Sequence, residues 1–196
     1  MNRLILIRHG QTDWNAEGRW QGQADPPLNE HGRIQARQAA EALALFELDA
    51  LYSSDLRRAW ETAECIGLGH GLKPLTDPRL REICLGEWQG LLSTDIQRRY
   101  PNQLECWLEA PLACNPPGGE SVLDVEMRVC TAVDEILAKH PGKRVAIVSH
   151  EFPIALLRCR AAKLSPAHLS EMAPENGSWI EVQLDGPLPV KDSSYL

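Results

Sequence analysis

Two short apolar runs, each ending at a histidine, constrain the fold of this chain more than any other feature. The first run, LILI, is followed by Arg8 and His9, and the second, VAIV, is followed one residue later by His150. An unbroken apolar run of this length is typical of a strand buried on both faces of a parallel sheet. Ligands of open α/β sheets bind beyond the carboxyl ends of the strands. We therefore expect both histidines at the mouth of one site.

Helical patterns separate the predicted strands. Asn29 is predicted to cap a helix that runs to about Leu45, and Ser54 a helix that runs to about Ile66. Ser121 begins a capping-box pattern before a long apolar-faced helix, and Pro153 suits the first turn of the helix after His150. Further strands are expected at 50–53 and 179–184, short helices at 93–99 and 103–109, and a proline-containing tail at the end. This alternation predicts a three-layer α/β/α sandwich with a mainly parallel central sheet.

The length of the chain suits one domain. Its 196 residues can bury a substantial core, so we expect a single domain over 1–196. Residues 91–117 are the one stretch available for a small helical cap insertion. The polar, tryptophan-bearing stretch 13–28 is expected to be a long loop, and loops of that length are often functional.

Composition narrows the class of partner and compartment. A formal net charge of −7 argues against nucleic-acid binding by broad phosphate neutralisation. No apolar run is long enough for a signal-peptide core or a membrane span, which favours a cytoplasmic protein without a membrane partner. No C-x-x-C pair occurs, so we expect no metal and no cofactor, and free thiols in a reducing compartment. The cysteines are Cys65, Cys84, Cys106, Cys114, Cys130 and Cys159.

The residues expected at the sheet edge have the chemistry of an anion site. Arg8 and Arg58 carry planar guanidinium groups that fit phosphate oxygens, and His9 and His150 add two imidazoles. A histidine can act as a nucleophile that forms a covalent intermediate. Glu82, on a flanking loop, could protonate a leaving oxygen and then activate water. The other interpretation of Glu82 is a solvated ion pair with a neighbouring arginine.

Motif-like segments follow one another in order along nearly the whole chain. They are Arg8-His9-Gly10-Gln11-Thr12 with Trp14-Asn15, Gln21-Gly22 with Pro27-Leu28 and Gly32, Ser54-Asp55-Leu56-Arg57-Arg58-Ala59 with Thr62, Leu80-Arg81-Glu82, Gly86-Glu87-Trp88-Gln89-Gly90, Gly118-Gly119-Glu120-Ser121, and Ser149-His150. In this order and at these distances, the chain resembles the histidine phosphatase superfamily in its phosphoglycerate-mutase-like branch. It looks most like the α-ribazole phosphatases and broad-specificity phosphatases of that branch.

The resemblance implies a phosphoglycerate-mutase-like fold and specific residue roles. His9 would be the nucleophile, phosphorylated on a ring nitrogen during turnover. Arg8, Arg58 and His150 would hold the phosphoryl oxygens, and Glu82 would be the general acid and then the base. The implied activity is that of a metal-independent phosphoric monoester hydrolase acting on a small phosphate ester, with a monomer or homodimer as the working unit.

Further candidates for substrate binding follow from the same motifs. They are Thr12, Asn15, Gln21, Gly22 and Glu151. Gln21 could instead hydrogen-bond within its loop, and Asn15 could be a turn former. Glu151 stands where the family usually has glycine. Its carboxylate could raise the pKa of His150, point to solvent, or repel a second acidic group on the substrate.

Two alternative functions stay open at this point. A phosphoglycerate mutase of the same fold would return the phosphoryl group instead of releasing it. Family mutases are typically longer, with an extra shielding segment, and only 91–117 is available here, which favours hydrolysis. The second alternative is a non-catalytic phosphate-binding regulatory module, since a fold does not fix a function.

Overall fold

The protein is described by a computed structural model over residues 2–184, so the expected proline-containing tail lies outside the described residues. The strands are β1 (Asn2–Arg8), β2 (Ala50–Ser53), β3 (Leu75–Thr76), β4 (Arg144–Ser149) and β5 (Trp179–Leu184). The α-helices are α1 (Asp13–Glu17), α2 (Glu30–Leu43), α3 (Arg57–His70), α4 (Ser93–Arg99), α5 (Pro101–Glu109), α6 (Val122–Lys139) and α7 (Glu151–Ala162). Short 3₁₀ helices cover Pro78–Leu80, Gly86–Trp88 and Pro166–Met172.

The strands form one sheet in the order β3-β2-β4-β1-β5. β5 runs antiparallel to β1, and the other pairings are parallel. β1 and β4 are neighbours, with Leu4 opposite Val145 and Arg8 opposite Ser149. Because the two strands run in the same direction in this register, they end side by side at one edge of the sheet. The predicted α/β/α sandwich with a mainly parallel sheet is confirmed.

Alternate residues of the central strands supply two separate apolar cores. In β1, Leu4 and Leu6 pack into the core that contains α6 and α7, whereas Ile5 and Ile7 pack into the core that contains α2 and α3. β4 alternates in the same way, from Val145 onward. Side chains of a strand point to opposite faces in turn, so unbroken apolar sequence requires a layer of helices on each face.

Helix starts follow their predicted caps in two of three cases. The Asn29 side chain accepts from the Gly32 amide at the start of α2, and Ser121 forms a capping box with Asp124 at the start of α6. The cap predicted at Ser54 is wrong. α3 begins at Arg57, after Leu56, and the Ser54 hydroxyl accepts from the Leu56 amide in the preceding turn. The backbone there is still turning from β2 into the helix.

The stretch 13–28, predicted to be a loop, begins with the short helix α1. Thr12 caps this helix and forms a capping box with Asn15, and Gly18 ends it in a left-handed conformation. Five residues are too few to show a helical apolar period, which explains why the sequence pattern missed α1. The strand β3 was not predicted for the same reason, because two residues cannot show an alternating pattern.

The prediction that all cysteines are free is wrong for one pair. Cys106 in α5 and Cys114 in the turn after it form a disulfide, with their Cα atoms 6.0 Å apart. The turn brings the chain back beside the helix, within the usual Cα separation for such a bond. The other four cysteines are free, as predicted. Within residues 2–184, no helix has the length and apolar character needed to cross a membrane.

The backbone after β1 packs directly on the first turn of α2. A Cβ atom added at Gly32 would lie 2.0 Å from the Gln11 carbonyl oxygen, so backbone would have to move. We expect Gly32→Ala to lower the free energy of unfolding by about 2–3 kcal/mol. Urea denaturation followed by circular dichroism measures this change.

Gly69→Ala is the matched control for that substitution. Gly69 also lies in a helix, α3, but an added Cβ would meet nothing within 4 Å. The control is therefore expected to raise stability by about 0.5–1 kcal/mol, because alanine favours a helix over glycine. Equal effects of the two substitutions would contradict the close approach at Gly32.

Candidate active site

A cavity of about 400 Å³ opens beyond the carboxyl end of β1. Most of the predicted site residues line it, drawn from the β1 end, the 13–28 stretch, α3, the Glu82 loop and the start of α7. They are Arg8, His9, Asn15, Gln21, Gly22, Arg58, Glu82 and Glu151. His150 and Thr12 are fully buried and lie outside this lining. The His150 ring sits beside that of His9, with ring centroids 5.0 Å apart.

His9 is held as a neutral ring with one free nitrogen. Its Nδ1 lies 2.6 Å from the Gly10 carbonyl oxygen, and because a carbonyl only accepts, Nδ1 carries the proton. Nε2 keeps its lone pair and accepts from Arg58 Nε at 3.1 Å. Burial, then the Arg58 and Arg8 charges, hold the pKa of His9 well below its usual range. The ring is therefore unprotonated at Nε2 at neutral pH, as a nucleophile must be.

Arg58 is a cation enclosed by protein. Its side chain is almost fully buried, and its guanidinium donates to the carbonyl oxygens of Ala24 (2.7 Å) and Gly22 (2.8 Å). Burial lowers the pKa of Arg58 to about 10, so the group stays charged at neutral pH. The two carbonyl contacts offset part of the free-energy cost of burying that charge. An anion bound beside Arg58 would offset the remainder, so the site favours anion binding.

Two nitrogens next to His9 are buried without a hydrogen-bond partner among the described residues. They are Nε of Arg8 and Nδ1 of His150. His150 Nε2 lies 2.8 Å from the Ser54 hydroxyl, whose oxygen already accepts from the Leu56 amide. A hydroxyl oxygen has two lone pairs and one proton, so this hydrogen bond forms with either partner as the donor. Nε of Arg8 carries a proton, and Nδ1 of His150 carries one when the Ser54 hydroxyl donates to Nε2, so both nitrogens can then donate to an oxyanion.

Glu82 is buried beside the start of α7 and is a strong candidate for a proton carrier. Its carboxyl oxygens accept from the backbone amides of Ile83, Glu151 and Phe152. Burial, followed by the negative charge of Glu151, raises the pKa of Glu82 to about 7. A carboxyl group with such a pKa can both give and take a proton near neutral pH.

The alternative view of Glu82 as a solvated ion pair does not fit the structure. Arg79 pairs with Asp77 and Glu135, and Arg81 pairs with Asp55. Both neighbouring guanidiniums therefore pair with other carboxylates. Glu82 has no arginine partner at ion-pair distance among the described residues.

Arg128 of α6 holds the loop that carries Glu82, a role that no sequence motif indicated. Its guanidinium donates to the carbonyl oxygens of Arg79, Arg81 and Glu82 at 2.6–2.9 Å. It also pairs with Glu120, whose carboxylate accepts from the Cys84 amide. A planar group with five donors can fix several carbonyls of an irregular loop at once.

Polar contacts within the 12–22 segment shape the opposite wall of the cavity. The Thr12 hydroxyl lies 3.0–3.1 Å from the side-chain oxygens of Asn15 and Gln21. Gly22 adopts a φ of +53° and presents its carbonyl to Arg58. Thr12 is buried behind the cavity wall and contacts the side chains of Asn15 and Gln21, which line the cavity.

Glu151 pairs with Arg8 at 2.8 Å instead of acting on His150. Burial and the neighbouring cations Arg58 and Arg8 hold the pKa of His150 well below its usual range. Of the three alternatives left open for Glu151, the one in which it raises the pKa of His150 does not fit the structure. The charge of Glu151 acts on Glu82 instead, because the start of α7 brings the two carboxylates together.

Several lining residues were not anticipated as site residues. They include Arg19, Trp107 and Phe152. Phe152 lies two residues after His150, a signal that could have been followed, whereas Trp107 comes from α5, far away in sequence. Among residues 2–184, no group of three or more His, Cys, Asp or Glu side chains is placed to hold a metal ion.

Comparisons with known proteins find similarity over nearly the whole chain. A sequence model of the histidine phosphatase superfamily (branch 1) matches residues 4–192. Phosphoserine phosphatase 1 of Hydrogenobacter thermophilus is 33% identical over 94% of this chain and 88% of its own length. Glucosyl-3-phosphoglycerate phosphatase of Mycobacterium tuberculosis is 40% identical over 92% of this chain and 84% of its own. The α-ribazole phosphatase structure from Shigella flexneri is 26% identical, with a TM-score of 0.86 over 93% of this chain and 91% of that one.

The raised pKa of Glu82 makes a prediction about stability. Burial lifts this pKa from an ordinary 4.5 to about 7, so the folded state holds the proton more tightly than the unfolded state does. The charged carboxylate therefore destabilises the fold increasingly between pH 4.5 and 7, and fully above pH 7. Relative to wild type, Glu82→Gln is therefore expected to gain about 2–3 kcal/mol in the free energy of unfolding between pH 4.5 and pH 8. Its amide group cannot accept from every backbone N–H that the two carboxyl oxygens serve, so the variant starts from a lower stability at pH 4.5.

Urea denaturation at pH 8 and pH 4.5 checks that expectation. At pH 4.5, where wild-type Glu82 is protonated, only the lost hydrogen bond should separate the two proteins, and Glu82→Gln should be the less stable. Glu105→Gln, an exposed site on α5, should give no pH-dependent difference. A stability difference between Glu82→Gln and wild type that does not change from pH 4.5 to pH 8 would contradict the buried-carboxylate interpretation.

Proposed function

The chain belongs to the histidine phosphatase superfamily, and from that premise we propose that it is a metal-independent phosphatase that hydrolyses small phosphomonoesters through a phosphohistidine on His9. The observation that carries the proposal is the neutral His9 ring. Its unprotonated Nε2 accepts from a buried arginine in a cavity that also holds a carboxyl group with a pKa of about 7. Nucleophile, oxyanion donors and proton carrier are the parts that phosphoryl transfer requires.

The first step forms the covalent intermediate. The His9 Nε2 lone pair attacks phosphorus, an N–P bond forms, and the bond from phosphorus to the ester oxygen breaks. The protonated Glu82 carboxyl group gives its proton to that oxygen, and the alcohol leaves. Arg8, Arg58 and His150 Nδ1 donate to the phosphoryl oxygens, where negative charge is spread in the transition state.

The second step releases phosphate. The Glu82 carboxylate takes a proton from water, the water oxygen bonds to phosphorus, and the N–P bond breaks with its electron pair returning to Nε2. Inorganic phosphate leaves, and Glu82 is again protonated. The two steps use the same acid-base group in opposite directions, which a pKa near 7 permits.

Hydrolysis is favoured over return of the phosphoryl group by the size of the cap region. We propose that residues 91–117 form a small helical cap within a single domain, since they contribute only α4, α5 and the turn after them. We further propose a small-molecule phosphate ester as the partner, without nucleic acid or membrane, and a monomer or homodimer in the cytoplasm. The names of the phosphatase relatives support a metabolite-sized ester as the substrate class.

Substitution of the nucleophile gives the direct test. We expect wild-type protein to release inorganic phosphate from p-nitrophenyl phosphate, with no effect of a chelator, and His9→Ala to have no measurable activity. Without the ring no N–P bond can form, so no phosphoprotein should be trapped in alkaline quench, which preserves phosphohistidine. Phosphate release and a trapped-label assay measure these outcomes.

His31→Ala is the matched control, because His31 is exposed on α2 and lies outside the cavity. It should keep wild-type activity and the label. If the protein interconverts phosphoglycerates without releasing phosphate, it is a mutase and the proposed phosphatase activity is wrong. Phosphate binding without any label or turnover would indicate a non-catalytic module.

The pH profile tests the role of Glu82. For an alkyl phosphate, kcat/KM should fall by about tenfold per pH unit above pH 7, because the acid form of Glu82 is lost there. The His9 ring stays neutral to well below pH 6.5, so its protonation limits activity only at lower pH. Glu82→Gln should reduce kcat/KM for the alkyl ester by about 10²–10⁴-fold and remove the decline above pH 7.

An ester with a good leaving group provides the internal control. The leaving oxygen of p-nitrophenyl phosphate needs little protonation. The decrease in kcat/KM for this ester in Glu82→Gln should therefore be much smaller. Equal losses on both esters would show that Glu82 acts on the structure of the site and not as the acid.

A further inference from the structure

A second cavity, of about 330 Å³, adjoins the first. Trp107, Glu151 and Phe152 border both cavities. Three shared side chains place the second cavity next to the first. A phosphoryl group is much smaller than a cavity of about 400 Å³, and binding sites for organic ligands typically measure about 300–1,000 Å³. Space beyond the phosphoryl group is therefore available for the organic part of an ester.

The walls of the second cavity are apolar with negative charge. Leu108, Pro111 and Leu169 supply aliphatic surface beside the two shared aromatic rings. The charged residues in its lining are Glu109 and Glu151, and no lysine, arginine or histidine is among the lining residues. Glu109, at the end of α5, is exposed and has no ion pair among the described residues, so its charge is available to a ligand.

The position of Glu82, the proposed acid, indicates which part of the substrate would occupy the second cavity. The Glu82 carboxyl group accepts from the amides of Glu151 and Phe152, at 3.1 and 3.2 Å. The side chains of the same two residues form the border between the cavities. An ester oxygen that receives a proton from Glu82 would therefore bind near this border, from which the attached alcohol can extend past Phe152 toward the second cavity.

We propose that the second cavity is the leaving-group subsite, and that it selects phosphomonoesters whose alcohol has an apolar or aromatic body and a cationic end. Esters with a carboxylate or a second phosphate on the alcohol are disfavoured by Glu109, and less by Glu151, because Arg8 pairs with Glu151. The inference rests on the proposed phosphatase activity and adds its substrate class. Each partly exposed charge is expected to change the preference by about twofold to fivefold.

Three aryl phosphates of similar shape test the charge preference. They are 4-(2-aminoethyl)phenyl phosphate, 4-ethylphenyl phosphate and 4-(carboxymethyl)phenyl phosphate. We expect kcat/KM to decrease in that order, with about a tenfold ratio between the ammonium and carboxylate esters for wild-type protein. All three are compared at one pH and ionic strength, so the state of Glu82 is common to them and cancels from the ratio.

Charge reversal at Glu109 localises the effect. Glu109→Lys should remove or invert the ammonium preference, and it leaves the Arg8–Glu151 pair in place. Glu105→Lys is the matched control, because it makes the same charge change on the same helix at an exposed residue outside both cavities. The control should keep the wild-type ratio, which separates a local subsite from the overall field of an acidic protein.

The outcomes separate the inference from the activity on which it rests. Equal kcat/KM for the three esters, a preference for the carboxylate ester, or equal changes in the two lysine variants would overturn the leaving-group subsite. The phosphatase activity would then stand. Failure to hydrolyse p-nitrophenyl phosphate, with no label trapped on His9, would overturn the activity itself and the subsite with it.

Discussion

The parallel pairing of β1 with β4 is the constraint on which the rest of the structure depends. Its register sets Arg8 opposite Ser149, so the residues that follow the two strands, His9 and His150, are neighbours. A slip by one residue would move every apolar side chain of β1 to the wrong face, so the two cores fix the register. The packing of the two cores therefore holds the two imidazoles in place, although burial of the imidazoles does not itself stabilise the fold.

Burial of the site gives its groups their chemical properties. Removal from water disfavours charge, so it keeps His9 neutral and Glu82 partly protonated at neutral pH, while the higher intrinsic pKa of Arg58 leaves it a cation. One environment therefore yields a free lone pair, a transferable proton and a fixed positive charge. The same desolvation makes the empty site costly to fold, which is the usual conflict between stability and function.

The sequence predicts what repeats along the chain and misses what does not. Four apolar residues in β1 and the capping box at Ser121 have a period or a fixed spacing, so the sheet and α6 were predictable. α1 is too short for a period. The Cys106–Cys114 bond depends on the turn after α5, and the place of Trp107 in the cavity depends on its packing against Phe152 of α7. No local sequence pattern encodes either. Motif spacing identified the residues around His9. It did not identify Arg128, which lies in none of the motif segments and acts by donating to backbone carbonyls of the Glu82 loop.

The start of α7 joins two properties that are usually treated as independent. Its first two amides hold the Glu82 carboxyl group, and the side chains of the same residues, Glu151 and Phe152, border the space for the leaving group. The charge of Glu151 also raises the pKa of Glu82. A substitution at Glu151 that changes the charge seen by the alcohol must therefore also change the pH at which the acid gives its proton. In this fold, leaving-group selectivity and acid strength vary together, because one turn of helix sets both.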